Sequence, residues 1–223
     1  MSGGGASLLL LAKVPEKGKV KTRLEESFTQ DQALAIYEAM LRDVLDLAVR
    51  LQNQFGEVSV YWASSSAEMV PEKLVASYPT LSHYPQRGED LGIRMYHAME
   101  ESFLRGNKKV ILMGCDSPTL PASFLLQAAE ELDTATVVLG PSEDGGYYLI
   151  GASSLVKQAF EGIPWGSSEV LARSLELMKG LGLRTALLPV WYDIDRPEDL
   201  ELLTVHDSEV ARNLLRVLRE IRG

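Results

Sequence analysis

The segment VILMGCDSPTLP, residues 110–121, decides how the rest of the chain is interpreted. Its first four residues, 110–113, are all apolar, which is typical of a strand buried on both faces of a parallel sheet. The strand runs into Gly114, Cys115 and Asp116, so a carboxylate follows it directly. In α/β proteins, ligands bind at the carboxyl ends of such strands. The segment therefore predicts an α/β fold and makes Asp116 a candidate site residue.

Strand-like and helix-like segments alternate along the whole chain. Strands are predicted at 7–11, 58–63, 81–84, 110–113, 136–139, 147–150 and 185–188, and helices at 30–52, 71–77, 91–103, 121–132, 154–160, 167–181, 197–205 and 207–221. This alternation predicts a mostly parallel sheet with helices on both faces. The strand at 147–150 follows a Gly-Gly turn and is expected to run antiparallel. A chain of this length is expected to form a single domain, residues 1–223.

The composition is that of a soluble globular protein, with 46% apolar and 24% charged residues. The 22 basic and 31 acidic side chains give a net charge of −9. This charge argues against partners such as nucleic acid or an anionic membrane, because both need a basic footprint. The single cysteine, Cys115, excludes an internal disulfide and favours a reducing compartment. No apolar run is long enough to span a bilayer, so we expect a cytoplasmic protein.

A basic segment, KVPEKGKVKTRL at residues 13–24, follows the first predicted strand. From Lys13 to Arg23 it carries five basic residues and one acidic residue, a net charge of +4 in an acidic protein. Such a concentration of cations attracts anions, and the segment is expected to bind a phosphate-rich ligand. Gly18 allows the backbone to approach that ligand closely. The spacing is not that of a P-loop, and a solvated basic turn is the alternative interpretation.

Carboxylates at two strand ends are candidates for a metal site. Asp116 offers the hard oxygen ligands that Mg²⁺ or Mn²⁺ prefers, although it is also suited to cap the next helix. Asp193 and Asp195, within WYDIDRPEDL at residues 191–200, alternate along an extended segment and so face the same side. They are expected to bind metal or acceptor, unless one of them caps the helix that begins at Pro197.

The segment GPSEDGGYYLIG, residues 140–151, places polar residues at another strand end. Its Asp-Gly pair is typical of a β-hairpin turn, which is the structural alternative. Asp144 is a candidate for binding sugar hydroxyls or acting as a base. Gly145 and Gly146 would permit close approach of that ligand.

Three further segments are weaker candidates. Arg87 and Gly92 lie in the polar loop QRGEDLG, residues 86–92, which is able to close over a base or a sugar. Trp165 would form an aromatic wall on the acceptor side. The last predicted helix has an apolar face that is either core or the seam of a homodimer, formed by Val210, Leu214, Leu218 and Ile221.

Four of these motifs, in this order, resemble one bacterial family. The matching residues are Lys13, Pro15, Gly18, Lys21, Thr22, Arg23 and Leu24 in the first motif, then G-x-D-S-P, G-P-x-x-D-G-G-Y-Y-L-I-G and D-I-D-x-P-E-D-L. The resemblance extends from about Leu8 to Leu200, nearly the whole chain. The family is DUF2064, also called the radical-SAM/selenodomain-associated transferase 1 family, and it is grouped with the nucleotide-diphospho-sugar transferases.

The resemblance implies a GT-A-type fold, a Rossmann-like three-layer sandwich with a mostly parallel sheet and an antiparallel strand. It implies a divalent metal, Mg²⁺ or Mn²⁺, held by Asp116 with Asp193 or Asp195. By the same analogy, nucleotide phosphates would be bound by the first motif, through Lys13, Pro15, Gly18, Lys21, Thr22 and Arg23. The polar loop would add Arg87 and Gly92 to the nucleotide-binding residues. The chain departs from the Asp-x-Asp signature of many GT-A glycosyltransferases, since Asp116 is followed by Ser117 and Pro118.

Three functions follow as hypotheses. The first, which the family grouping favours, is metal-dependent transfer of a sugar from a nucleotide-diphospho-sugar to a small acceptor. Lys21 and Arg23 would assist departure of the diphosphate, while Asp144 or Trp165 orients the acceptor. The second is nucleotidyl transfer from an NTP to a phosphorylated small molecule, because the charge of the basic segment suits a triphosphate and the segment resembles phospholactate guanylyltransferases. The third is a non-catalytic nucleotide-binding module.

Overall fold

One sheet of seven strands runs through the computed structural model, which describes residues 5–64, 70–203 and 210–222. The strands are β1 (Ser7–Lys13), β2 (Glu57–Ala63), β3 (Ser82–Pro85), β4 (Val110–Gly114), β5 (Val137–Pro141), β6 (Tyr147–Ala152) and β7 (Thr185–Leu187). Their order across the sheet is β3-β2-β1-β4-β6-β5-β7. Strand β6 is antiparallel to both of its neighbours, as its Gly-Gly turn predicts, and the other pairings are parallel.

Six helices of the described residues pack around the strands, and two of the six begin at a side-chain cap. The helices are α1 (Gln30–Arg50), α2 (Glu72–Ser77), α3 (Leu91–Leu104), α4 (Ala122–Glu131), α5 (Val170–Gly180) and α6 (Arg212–Arg222). Thr29 and Gln32 form a capping box at the start of α1, and the Asp90 carboxylate accepts from the Ile93 N–H at 2.8 Å to cap α3. Within the described ranges, no helix is long and apolar enough to cross a membrane.

Apolar residues on the two faces of the sheet pack into separate clusters. Along β1, Leu8 and Leu10 pack with α1 and α4, whereas Leu9 packs on the other face with α3 and with Met178 of α5. This alternation follows from the two-residue repeat of a strand and buries the sheet on both sides. The three-layer α/β sandwich expected from the sequence is therefore confirmed.

The last helix packs on the outer side of α1 rather than on the sheet. Leu214 and Leu218 are buried against Ile36 and Met40. Asp43, 2% exposed, accepts hydrogen bonds from the backbone N–H groups of residues 213 and 214 at 2.8 and 2.9 Å, which satisfies the start of α6. The apolar face of the last helix was interpreted as either core or the seam of a homodimer, and in the structure Leu214 and Leu218 are part of the core.

Three predicted helices differ from the structure. The segment 154–160 forms only a 3-10 turn, Lys157–Phe160, and 197–205 forms only a 3-10 helix, Pro197–Glu201. Segments this short are marginal as helices because one turn makes few hydrogen bonds for the residues it fixes. The predicted helix 207–221 is observed as Arg212–Arg222, and residues 204–209 lie outside the described residues.

The strand order creates a crevice beside β1. The chain passes from β1 outward to β2 and β3, and then places β4 on the opposite side of β1. Such a switch in direction opens a crevice at the carboxyl ends of the two strands. Lys13 ends β1 and Asp116 follows β4, so both of these candidate residues lie at this crevice.

Candidate active site

A cleft of about 580 Å³ opens at the switch point, and a smaller pocket of about 270 Å³ adjoins it. The two share the residues Lys13, Arg23, Tyr37, Asp116 and Asp195. We call these residues, together with Lys21 and Asp193, the polar end of the cleft. The smaller cavity also includes Lys19 and Thr22 and is called the basic pocket. The apolar residues of the cleft, which we call its apolar end, are Met95, Tyr147, Ile150, Trp165 and Val170.

A buried tyrosine fixes the strand end from which the basic segment starts. The Tyr37 hydroxyl donates to the carbonyl of Lys13 at 2.8 Å and accepts from its N–H at 2.9 Å. Burial raises the pKa of Tyr37 well above its usual value, so the phenol stays neutral. Tyr37 was not among the predicted site residues. A hydroxyl among aliphatic neighbours, which needs a partner when buried, was the available signal.

Lys21 joins the basic segment to the acidic residues. Its side chain is 4% exposed, and its ammonium binds one oxygen of Asp116 and, at 2.6 Å, one oxygen of Asp195. Burial alone would lower the pKa of Lys21, but the two adjacent carboxylates outweigh it and raise the pKa. Lys21 is the one non-glycine residue in the described ranges with a left-handed backbone, at φ 47° and ψ 42°. The cluster Asp116–Lys21–Asp195 therefore connects β4, the basic segment and the segment before Pro197.

Asp116 is ionised and accessible. Enclosure by the protein would raise its pKa, but the charge and hydrogen bond of Lys21 and the charge of Lys13 hold it below the usual value. Half of its side chain, 50%, is exposed. The helix α4 that follows has no side-chain cap, and so the capping alternative for Asp116 does not apply.

Asp193 and Asp195 both line the cleft, as their alternation predicts, but their environments differ. Asp193 accepts a hydrogen bond from the Ser117 hydroxyl, and burial, together with the charges of nearby carboxylates, raises its pKa to about 7. Neither aspartate caps the helix at Pro197, because the Asp199 carboxylate accepts from the N–H groups of residues 195 and 196 at 2.8 and 2.7 Å. Both carboxylates are therefore directed to the site.

The hairpin between β5 and β6 presents Asp144 to the cleft. Its carboxylate accepts from the Gly146 N–H at 2.9 Å and from the Ser142 hydroxyl, which closes the turn. The hairpin interpretation is therefore correct, and Asp144 also lines the cleft together with Gly146. Gly145 serves the turn, since its φ is +89° and a Cβ there would lie 2.2 Å from the Ser168 carbonyl oxygen.

Trp165 forms part of the apolar end and rests on a glycine. Its ring meets Tyr147 edge to face, with centroids 6.2 Å apart. A Cβ at Gly92 would lie 2.5 Å from the indole nitrogen of Trp165. Gly92 is buried beneath this indole and does not line the cleft. The contact that the structure shows for Gly92 is with Trp165, whose ring a side chain at this position would displace; its contact with nucleotide stays a prediction.

Gln86 holds three strand ends together at the side of the cleft near α3. Its amide nitrogen donates to the carbonyl oxygens of Ala12 at 3.1 Å and Tyr61 at 2.9 Å, and its backbone N–H donates to Trp62. Gln86 and Arg94 line the cleft, and neither was among the predicted site residues. Their polar loop was recognised in the sequence, but the residues predicted from it were Arg87 and Gly92. Arg87 instead extends away to Glu101 at 3.4 Å, with its side chain 64% exposed.

The structure therefore brings most predicted site residues together at one cleft. Those lining the cleft or the basic pocket are Lys13, Lys21, Thr22, Arg23, Asp116, Asp144, Gly146, Trp165, Asp193 and Asp195. Pro15, Gly18, Arg87, Gly92 and Gly145 do not line either cavity. Gly18 has φ +69° and faces the Gln30 side chain, so it shapes the basic segment by its conformation.

The oxygen donors at the polar end fit a hard divalent cation. Within the described ranges, no group of three or more His, Cys, Asp or Glu side chains is arranged to hold a metal. Asp116 and Asp195 nevertheless direct one oxygen each at a single cationic nitrogen, that of Lys21. Mg²⁺ characteristically takes one or two carboxylates and completes its shell with water and substrate phosphates. The arrangement suits a metal that binds together with a nucleotide.

Comparisons with known proteins show which sequences and folds this chain resembles. A 2-phospho-L-lactate guanylyltransferase of Methanopyrus kandleri is 28% identical over 188 residues, which cover 83% of this chain and 85% of that protein. The crystal structure of a candidate nucleotide-diphospho-sugar transferase from Desulfovibrio desulfuricans G20 matches with a TM-score of 0.84 and 33% identity, over 97% of this chain and 98% of the other.

A more distant structure shares the fold. The inositol-1-phosphate CTP transferase of T. maritima has a TM-score of 0.57 and 15% identity, covering 96% of this chain and 98% of that one. These comparisons support a transferase with the fold of the nucleotide-diphospho-sugar transferases. Residues 46–167 match the bacterial family described as "Uncharacterized protein conserved in bacteria (DUF2064)". With more than half of its length matched, the chain belongs to the DUF2064 family.

Proposed function

We propose that the protein is a metal-dependent nucleotidyltransferase, which moves the nucleoside monophosphate of an NTP to a small phosphorylated acceptor and releases pyrophosphate. The observation that carries this proposal is the basic pocket directly beside Asp116 and Asp195. Lys13 and Lys19 are exposed there and form no ion pair with the described residues. Arg23 is 60% exposed and lies 3.7 Å from Asp195. A polyphosphate would supply negative charge to Lys13 and Lys19, and further oxygens to the exposed Arg23 guanidinium.

The basic segment would hold the β- and γ-phosphates. Lys13 and Lys19 neutralise their charge, Arg23 is able to bind two oxygens at once, and the Thr22 hydroxyl is a further donor. Tyr37 keeps the strand end at Lys13 in place through its two hydrogen bonds. Asp116 and Asp195 would hold Mg²⁺ or Mn²⁺, which supplies Lewis-acid stabilisation of the phosphate oxygens.

The reaction needs one bond to form and one to break. An oxygen of the acceptor phosphate forms a bond to the α-phosphorus, and the bond from that phosphorus to the oxygen bridging to the β-phosphate breaks. The electron pair of the broken bond leaves with pyrophosphate, which the basic pocket already binds. An ionised phosphate acceptor needs no general base, so catalysis rests on positioning and on charge stabilisation.

Two kinds of support favour nucleotidyl over glycosyl transfer. The cationic side chains of the basic pocket suit three phosphates better than two. The guanylyltransferase that is 28% identical along 83% of this chain is a nucleotidyltransferase by name. These observations reverse the preference that the family grouping gave to sugar transfer.

Glycosyl transfer is the second candidate, and one feature favours it. Trp165 and Tyr147 both line the cleft and pack edge to face against each other. Aromatic faces of this kind pack well against apolar ligand surfaces, and Asp144 beside them offers carboxylate oxygens to hydroxyl groups. The crystal structure with 33% identity is also assigned, as a candidate, to the nucleotide-diphospho-sugar transferases.

The products distinguish the two reactions. Purified protein with Mg²⁺ is incubated with each NTP, or each nucleotide sugar, and a panel of small phosphorylated and hydroxylated acceptors. Nucleotidyl transfer predicts pyrophosphate from an NTP and a nucleotide-linked product visible by mass spectrometry. Nucleoside diphosphate released from a nucleotide sugar would replace the proposal with glycosyl transfer. Stabilisation of the fold by nucleotide, without product from either panel, would favour the non-catalytic binding module.

A further inference from the structure

Lys21 occupies the position that two carboxylates offer to a cation. Its ammonium is within hydrogen-bond reach of one oxygen of Asp116 and one of Asp195. The three residues are separated widely in sequence and meet only at this point of the fold. The ammonium is almost completely enclosed, whereas the two carboxylates are 50% and 41% exposed. Lys21 is therefore the buried member of a three-residue cluster whose two carboxylates are accessible.

A metal ion bound through the same two oxygens would compete with the lysine for their charge and for the space between them. A divalent cation bound directly by Asp116 and Asp195 needs contacts of about 2.0–2.1 Å for Mg²⁺. An ammonium at hydrogen-bond distance from both oxygens fills that space and neutralises part of their charge. Like charges at such short range repel strongly in a partly enclosed site.

The backbone conformation at Lys21, which directs the side chain inward, is energetically unfavourable. A lysine with φ 47° is in the left-handed region that L-residues other than glycine, asparagine and aspartate seldom adopt. Strained backbone of this kind persists where the surroundings hold it, and it is concentrated at functional sites. Here, the two carboxylates are the partners that hold it.

We propose that Lys21 is the resident counter-ion of the metal site in the free protein, and that it leaves Asp116 and Asp195 when a divalent cation binds them. The proposal rests on the nucleotidyl-transfer function above, in which the metal arrives with the nucleotide. Lys21 also lines the basic pocket. Its ammonium therefore has a new partner at hand, an oxygen of the incoming polyphosphate. Metal binding and phosphate binding are thereby coupled through one side chain.

Metal affinity without nucleotide tests the competition. Mn²⁺ is titrated into the wild type, K21M and K13M, and free Mn²⁺ is followed by its electron paramagnetic resonance signal. We expect weak binding by the wild type and binding at least about tenfold tighter by K21M, since each 1.4 kcal/mol of removed competition is tenfold. K13M is the matched control, because Lys13 acts on Asp116 only through its charge. Equal tightening in K13M and K21M, or none in K21M, overturns the proposal.

A conservative variant separates competition from loss of structure. K21R keeps the positive charge between the two carboxylates and is expected to bind Mn²⁺ as weakly as the wild type. Circular dichroism and thermal melting show whether K21M folds. If K21R binds as tightly as K21M, the charge at this position does not compete with metal, and the proposal is wrong.

The wild-type protein offers a second test that needs no variant. Enclosed Lys21 should react slowly with an amine-acetylating reagent, whereas Lys19, exposed in the same segment, reacts fast. Adding Mn²⁺ to saturation should raise acetylation of Lys21 several-fold, measured by mass spectrometry, and leave Lys19 unchanged. Lys21 that stays protected with Mn²⁺ bound overturns the proposal. Pyrophosphate release is assayed separately, so failure of the counter-ion role and failure of nucleotidyl transfer give different results.

Discussion

The two ends of the cleft are organised by different forces. At the polar end, Lys21 links Asp116 to Asp195 and Ser117 binds Asp193, so charges and hydrogen bonds set the geometry. At the apolar end, Trp165 is positioned by contact with Tyr147 and by the space above Gly92. The difference separates the roles of the two ends. In the proposed reaction, the polar end would stabilise the transferred charge, and the apolar end would select the ligand by its shape.

The largest expected effect is at the polar end. D116N removes a carboxylate from the proposed metal site and should lower kcat by about 10²–10³-fold, as loss of one group that stabilises transition-state charge does. Lys21 keeps Asp195 as a partner, so the fold should persist. Steady-state pyrophosphate release measures kcat, with D133N, at a surface ion pair with Lys109, as the control. A kcat unchanged in D116N would remove Asp116 from the mechanism.

A smaller effect is expected at the apolar end. G92A places a methyl group 2.5 Å from the indole nitrogen of Trp165 and should displace that ring. We expect the KM for the acceptor to rise about tenfold, with a smaller change in kcat, because a shift of about 1 Å in a residue that lines the binding site weakens its contacts with the acceptor. G180A is the matched control, since a Cβ there contacts nothing within 4 Å.

The separation of roles between the two ends is wrong if G92A lowers kcat as D116N does. Loss of kcat at constant KM would mean that Trp165 acts on the reacting atoms rather than on ligand selection. Identical kinetics in G92A and G180A would instead show that the position of the indole does not matter for the acceptor.

The difference between the two ends also explains what the sequence was able to predict. Asp116, Asp193 and Lys13 are recognisable because strand ends and charge are local properties, and the fold brings strand ends together by topology. The contact of Gly92 with Trp165 and the enclosure of Lys21 by two distant carboxylates depend on tertiary packing. Local pattern placed Gly92 and Arg87 on the nucleotide, and it gave no signal that Lys21 is already paired.

Another expected effect is on the pH dependence of the free energy of unfolding, measured without metal at the polar end. The pKa of Asp193 is about 7 in the folded protein and about 3.9 in an unfolded chain. Between these values the folded state holds a proton that the unfolded state has lost, so stability decreases as pH rises, by up to about 1.4 kcal/mol per pH unit. Urea unfolding with EDTA from pH 4 to 7 measures this slope.

D193N provides the reference for that slope. The variant cannot ionise at this position, so the difference in the free energy of unfolding between wild type and D193N should change with pH in the stated direction. A parallel dependence in both proteins would show that Asp193 does not titrate in this range, and that burial does not govern its charge.

The smallest expected effect tests whether the basic pocket is a specific site or only a field of positive charge. Lys19 lines the pocket, whereas Lys17, in the same segment, forms an ion pair with Asp31 at 2.7 Å. K19M should weaken NTP binding about two- to fivefold at low salt, as expected for one exposed charge, and K17M should weaken it less. Calorimetric titration at two salt concentrations measures both. The two variants remove equal charge from the same segment. Equal losses of NTP affinity would therefore mean that the segment attracts phosphate only by its net charge. The distinction between a structured polar end and a shaped apolar end would then rest on Asp116, Lys21 and Asp195 alone.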